Sequence, residues 1–184
     1  MTSAGAEPAQ FAMGEVQEVQ ILRLAAGGDG VGRWGDGRAV FVPRTAPGDV
    51  VDVETHRSYP RHLTARVRRI VEAGPGRVAP RCGHYDADAC GGCQFQHLGL
   101  PAQVKAKGAI VGDALRRIGA LDCPDPEVVA DGPSWEYRNK ITLTRDSSSG
   151  QIGLHRWDHP DRVFDLERCE ILAPELNSRW ASVG

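Results

Sequence analysis

Four of the chain's five cysteines constrain its fold more than any other feature. Cys82, Cys90 and Cys93 are spaced Cys-x7-Cys-x2-Cys, and Cys169 follows far downstream. Three close thiols and one remote thiol meet at a point only if the intervening chain folds back on itself. Such a set suits an all-cysteine iron–sulfur cluster or a four-cysteine zinc site. On spacing alone, a zinc knuckle of Cys82, Cys90, Cys93 and one of His84, His97 or Cys169 is a fair competitor. A Cys90–Cys93 redox pair is a weaker one, because no βαβ pattern surrounds it. Gly91 and Gly92 let the backbone turn tightly around a bulky group. Cys123, before Pro124, reads as a bystander. The odd cysteine count argues against a disulfide framework.

The remaining composition narrows the class. The 184 residues are 25% charged and 41% hydrophobic with net charge −2, within the range of soluble globular proteins. No apolar run approaches the roughly 20 residues of a membrane span. Met1–Met13 lacks the basic start and apolar run of a signal peptide. A cytoplasmic protein without a membrane partner is expected. The 22 Gly and 12 Pro favour turn-rich β structure.

Residues 1–13 are Ala/Gly/Pro-rich and are expected to be disordered. Glu15–Leu24 reads as one strand. Val31–Trp34 and Ala39–Val42 flank Gly35-Asp36-Gly37 as a hairpin. Asp49–Thr55 and Leu63–Val71 alternate, the latter with Leu63, Ala65, Val67 and Ile70 inward. Five short strands within about 60 residues suggest a small closed barrel. Gly74-Pro75-Gly76 reads as a linker. Val104, Val111, Leu115 and Ile118 then recur at helical steps between Leu98 and Ile118, one apolar face. Ile141, Leu143, Ile152 and Leu154 mark a hairpin around Ser147–Gly150, and Val163, Leu166 and Ile171 one more strand.

Cys90-Gly91-Gly92-Cys93-Gln94-Phe95-Gln96-His97-Leu98, the segment around Cys169 (Glu167–Pro174) and Tyr137-Arg138-Asn139-Lys140 resemble the 23S rRNA uracil-5-methyltransferase family. The expected N-terminal barrel is similar to that family's TRAM domain, an OB-like RNA-binding module. The resemblance covers residues 14–180 and implies that Cys82, Cys90, Cys93 and Cys169 ligate one 4Fe–4S cluster. It implies transfer of a methyl group to C5 of a uracil, in rRNA rather than tRNA. In that family S-adenosylmethionine and the nucleophilic Cys belong to a Rossmann-like domain that follows this region. No βαβ array and no cysteine come after Cys169. The expectation is therefore a catalytically incomplete portion with no catalytic residue of its own. A separate C-terminal methyltransferase chain is a possible partner. Gly28-x-Gly30-x-Gly32 has the spacing of a cofactor glycine loop, but a strand rather than a helix follows it, so it reads as a barrel turn.

His56–Arg69 holds Arg57, Arg61, Arg66, Arg68 and Arg69, two His and no acid, a candidate phosphate-binding stripe. Trp34, Phe41 and Tyr59 are candidate stacking surfaces beside it. Arg138 and Lys140 form a second basic site, with salt bridges to Glu136 or the acidic tail as the bland alternative. Residues 146–184 count seven acids against four Arg, which argues against broad RNA contact there. In the resembling family the Leu98–Ile118 helix packs against the catalytic domain, so its apolar stripe is expected to be exposed here.

The fold class expected is α+β. An OB-like TRAM barrel over 14–72 precedes an incomplete α+β central domain over 73–184 with an iron–sulfur site. The rivals are a stand-alone RNA-binding module and a zinc-binding interaction protein.

Overall fold

Alternating apolar residues on both sides of tight turns make the first half of the chain a sheet. A computed structural model describes residues 14–181; the expected disorder of residues 1–13 lies outside them. The first six strands are β1 (Val16–Gln20), β2 (Arg23–Leu24), β3 (Gly30–Arg33), β4 (Ala39–Val42), β5 (Val50–Ser58) and β6 (His62–Glu72). Their order in one sheet is β1-β5-β6-β4-β3-β2, antiparallel except for the β4–β6 pair. The strand expected over Glu15–Leu24 is thus two. At the bend the Ile21 N–H donates to the Asp49 carbonyl (2.8 Å), and the next amide, Leu22, donates to Val31 (2.9 Å). One bent segment therefore supplies both edges of the sheet, which curls upon itself. Register shifts along β5–β6 add the twist that long coiled strands need.

Val19, Ile21, Trp34, Val40, Val42, Val51, Val53, Leu63 and Ala65 fill the inside of this curl. Val67 and Ile70 pack partly against them, so the inward set of β6 is as expected. Trp34 is buried in this core, which removes it from the candidate stacking surfaces.

The Gly28-x-Gly30-x-Gly32 spacing has a packing cause. A Cβ on Gly32 would stand 2.3 Å from Val19 Cγ1 and 2.7 Å from the Gln20 carbonyl, and one on Gly30 would stand 1.9 Å from Thr45 Oγ1. Both glycines lie where strands cross too closely for a side chain. Gly28 has φ +99°, a turn conformation.

Gly74-Pro75-Gly76 is a tied corner rather than a free linker. The buried Asp49 carboxylate accepts from the Ala46 amide (2.6 Å), the Gly74 amide (2.8 Å) and the Arg77 guanidinium (2.6 Å). Burial would raise its pKa, but Arg77 and the two amides outweigh burial and hold the carboxyl below its ordinary value.

The chain divides into two compact units. One comprises residues up to Arg77 with His97–Pro126, the other Val78–Gln96 with residues from Glu127 onward. The first unit therefore also holds the long helix, Leu100–Arg117, which starts with Pro101 in its first turn. Its buried positions are Ala106, Gly108 and Gly112, where small side chains allow close approach. The apolar stripe faces outward in part: Val111 is 47% and Ile118 86% exposed.

His97, 1% exposed, donates its Nε2–H to the Thr45 carbonyl (3.1 Å). Burial lowers its pKa to about 4. The unfolded chain takes up this proton near pH 6.5, the folded chain only near 4, so stability is lost as pH falls between those values. From pH 7 to 5 the loss from this group is about 2 kcal/mol. Urea midpoints at the two pH values check it, and His97→Gln should flatten the dependence.

The second unit holds three short antiparallel strands, β7 (Thr144–Arg145), β8 (Ile152–His155) and β9 (Val163–Asp165). One-turn α1 (Gly83–Asp86) precedes the long helix, α2, in the chain, and α3 (Pro174–Ala181) closes it. The sequence pattern did not point to α3. Among the described residues no helix is long and apolar enough to cross a membrane.

Candidate metal centre and basic face

Cys82, Cys90, Cys93 and Cys169 line one cavity of about 40 Å³ in the second unit. Separate devices place Cys82, Cys90 and Cys169. Cys82 stands before α1, its amide donating to Gln96 Oε1 (3.2 Å). Cys90 is placed by a turn in which its amide reaches the His84 carbonyl (3.0 Å). The residue before it, Ala89, has φ +49°, a left-handed conformation that costs a residue with a Cβ about 1 kcal/mol. Its carbonyl is held by the Trp157 amide (2.9 Å).

Gly91 pairs with the edge of β8, its amide donating to the His155 carbonyl (3.0 Å). A Cβ there would come within 3.0 Å of that oxygen, whereas one on Gly92 would make only ordinary contact with Cys90 Sγ. Gly91 is thus the residue that the close approach requires. Gly92 contributes its amide, which donates to Cys90 Sγ (3.4 Å).

Cys169 is held by a residue with no sequence signal. Asn177 on α3, 8% exposed, accepts from the Cys169 amide (3.0 Å) through Oδ1. Its Nδ2 donates to the Cys169 carbonyl (3.0 Å) and the Leu172 carbonyl (3.1 Å). Trp180 Nε1 donates to the Leu166 carbonyl one turn further on. An Asn eight residues after a cysteine belongs to no local pattern, so only the helix reveals the pair.

In the cavity, burial and amide donors act in opposite directions on the thiols. Burial raises the Cys82 and Cys90 thiols, while the amides of His84 and Tyr85 at Cys82, and of Gly92 at Cys90, pull the other way. Sulfurs already facing amide donors are prepared for the negative charge that a metal would stabilise. Among the described residues no group of three His, Cys, Asp or Glu is placed to share a single metal ion. His84, a rival ligand, lines the cavity with Nδ1 bonded to Asp88 (2.7 Å). His97 does not line it and is already engaged with Thr45. Cys123 does not line it either.

Arg138 and Arg168 also line the cavity. Glu136 pairs with Arg168 (3.3 Å). Lys140 is exposed.

The basic stripe of the first unit resolves into two groups. Arg68 pairs with Glu54 and Arg69 with Asp52, both at 2.8 Å. Arg66 lies opposite Glu54 in the β5–β6 register. Arg57 and Arg61, at the β5–β6 turn, are exposed and make no ion pair among the described residues. Between them in sequence Tyr59 stacks on His62 (4.4 Å, 15°), and His62 meets Phe41 edge-on (5.5 Å, 89°). Rings and free guanidinium groups together suit single-stranded nucleic acid.

Residues 10–67 match the model of the TRAM domain. An uncharacterized RNA methyltransferase of Nostoc sp. is 40% identical over 92% of this chain and 37% of its own length. The 23S rRNA (uracil(1939)-C(5))-methyltransferase RlmD of Halomonas elongata is 37% identical over 88% of this chain and 33% of its own. The crystal structure of the Pyrococcus abyssi tRNA (uracil-54, C5)-methyltransferase, in complex with S-adenosyl-L-homocysteine, superposes with a TM-score of 0.59 at 25% identity. It covers 90% of this chain and 35% of that one. The chain thus spans little more than a third of the length of the curated relatives it matches.

Proposed function

We propose, from a chain that carries a TRAM domain and is homologous along most of its length to RNA uracil-C5 methyltransferases, that it is their RNA-docking and cluster-holding portion. The observation that carries this reading is that three close cysteines and one remote cysteine line a single cavity. Cys82, Cys90, Cys93 and Cys169 would hold a 4Fe–4S cluster. Such a group supplies a rigid node tying three stretches of chain together, since methyl transfer requires no electron from it. The amides of His84, Tyr85 and Gly92 would offset charge on the ligating sulfurs.

The TRAM barrel of residues 14–72 docks RNA through Arg57 and Arg61, with Arg66, Arg68 and Arg69 beside them. Residues 73–184 hold the cluster and present Arg138 and Lys140. The substrate is a cytoplasmic rRNA, a choice supported by the 23S rRNA relatives that match at higher identity than the tRNA enzyme. Methyl transfer from S-adenosylmethionine is assigned to the part of the relatives that this chain does not span, whether on the same or a separate chain.

Metal analysis after anaerobic purification tests the cluster. About four irons and four sulfides per chain are expected, with a broad brown absorption lost in Cys169→Ser. Zinc without sulfide or colour would overturn the assignment and favour the zinc-binding reading. For the RNA face, Arg57→Glu/Arg61→Glu should weaken single-strand binding and reduce the log–log salt slope by about 1.4, at ~0.7 per phosphate contact. Arg68→Glu/Arg69→Glu should change that slope less, because their partners Glu54 and Asp52 already neutralise them. Affinity measured across a salt series distinguishes the pairs.

A further inference from the structure

We propose that a groove of about 330 Å³ in the first unit, between β2, β4 and α2, holds one unstacked nucleotide of the bound RNA. The inference rests on the RNA-docking reading above. Three observations select this occupant. The volume suits one small ligand and is too small for a protein helix. Phe41 lines one side and Ile110 of α2 and Ile118 just past its end line the other, so a base inserted there meets an aromatic ring and aliphatic carbon.

The third observation is the charge at the mouth. Arg23 and Arg117 both lean on Asp113, at 3.7 and 3.3 Å. One carboxylate between two guanidinium groups leaves a net positive charge and unused N–H donors for a phosphate. Phe41 also joins the groove to the His62–Tyr59 stack, and so to the turn that carries Arg57 and Arg61. A strand of RNA along that turn would reach the groove with its next base.

The test uses the full chain, a short single-stranded RNA and uridine monophosphate. Ala114 lines the groove and is exposed, so Ala114→Trp fills the space without disturbing the core. Ile118→Asp, at a residue 86% exposed, places a carboxylate at the mouth and keeps the test informative if the Trp variant misfolds. Each variant should weaken RNA binding about tenfold, the scale of one lost base stack. Ala114→Trp should leave the salt slope unchanged. Uridine monophosphate should shift the amide resonances of Phe41, Ile110 and Ile118 in the wild type alone.

Equal RNA affinity in the folded variants, with the salt-dependent binding of the wild type intact, would overturn the groove and leave the docking reading standing. An absence of RNA binding by the wild type would overturn both.

Discussion

Gly32→Val is expected to unfold the first unit in urea that leaves Gly37→Ala intact. Gly32 does not have a positive φ, so a β-branched residue meets no backbone strain there. The cost comes from space. Its first side-chain atom would overlap Val19, a core residue 2% exposed, and the Gln20 backbone oxygen. Neither can withdraw without parting the bent first segment from β3, which is the contact that curls the sheet. Overpacking of this kind costs about 1–3 kcal/mol where the surroundings adjust and more where backbone blocks them; about 4 kcal/mol is expected here. That is a large share of the ~5–15 kcal/mol that holds a domain together. Gly37 is the contrast: φ is +87° and a Cβ would meet nothing within 4 Å. Its substitution carries only the dihedral penalty, about 1 kcal/mol. Urea midpoints for the two variants should therefore differ by more than the transition width. Near-equal midpoints would mean that β1 and β3 part easily.

Asn177→Leu should release Cys169 while leaving the other three thiols in place. Leucine has nearly the same volume but removes one acceptor and two donor contacts, which strands the Cys169 amide and the Leu172 carbonyl and leaves the Cys169 carbonyl with the Leu172 amide alone. An unsatisfied buried group costs about 1–3 kcal/mol, enough to loosen a short surface segment. Iron bound after anaerobic reconstitution should fall below half of the wild-type value. In protein without metal, alkylation of Cys169 should accelerate about tenfold while that of Cys90 stays slow. Asn177→Asp should be intermediate in neither sense: it keeps the acceptor but points a carboxylate at two carbonyl oxygens, so it should also lose iron. Full iron content with unchanged Cys169 alkylation in Asn177→Leu would show that other contacts hold the loop.

Much of the first unit was legible because its signals are local. The Gly35-Asp36-Gly37 turn, the alternation of β6 and the helix over Leu100–Arg117 each follow from neighbours within a few residues. The misreadings share a cause as well. Trp34 looked available for stacking, Gly74–Gly76 looked like a linker and Glu15–Leu24 looked like one strand. In each case a partner distant in sequence decides: the core of the curled sheet, the buried Asp49 carboxylate, and the switch from β5 to β3 at Ile21–Leu22. The apolar periodicity of α2 likewise marked a helix but not which side it buries, because Ala106, Gly108 and Gly112 carry too little side chain to register in such a pattern.

The sequence by itself determined that Cys82, Cys90 and Cys93 share one loop region, that short alternating strands build the N-terminal half, and that basic residues crowd the β5–β6 turn. Spacing and side-chain periodicity are properties of contiguous chain, and they persist in any fold the chain adopts. Only the tertiary structure decided that Asn177 holds Cys169, and that Arg57 and Arg61 stay free while Arg68 and Arg69 are neutralised. Those outcomes depend on which distant groups come within hydrogen-bond or ion-pair reach. That is settled by how the apolar faces of separate segments pack, and a linear pattern does not encode it.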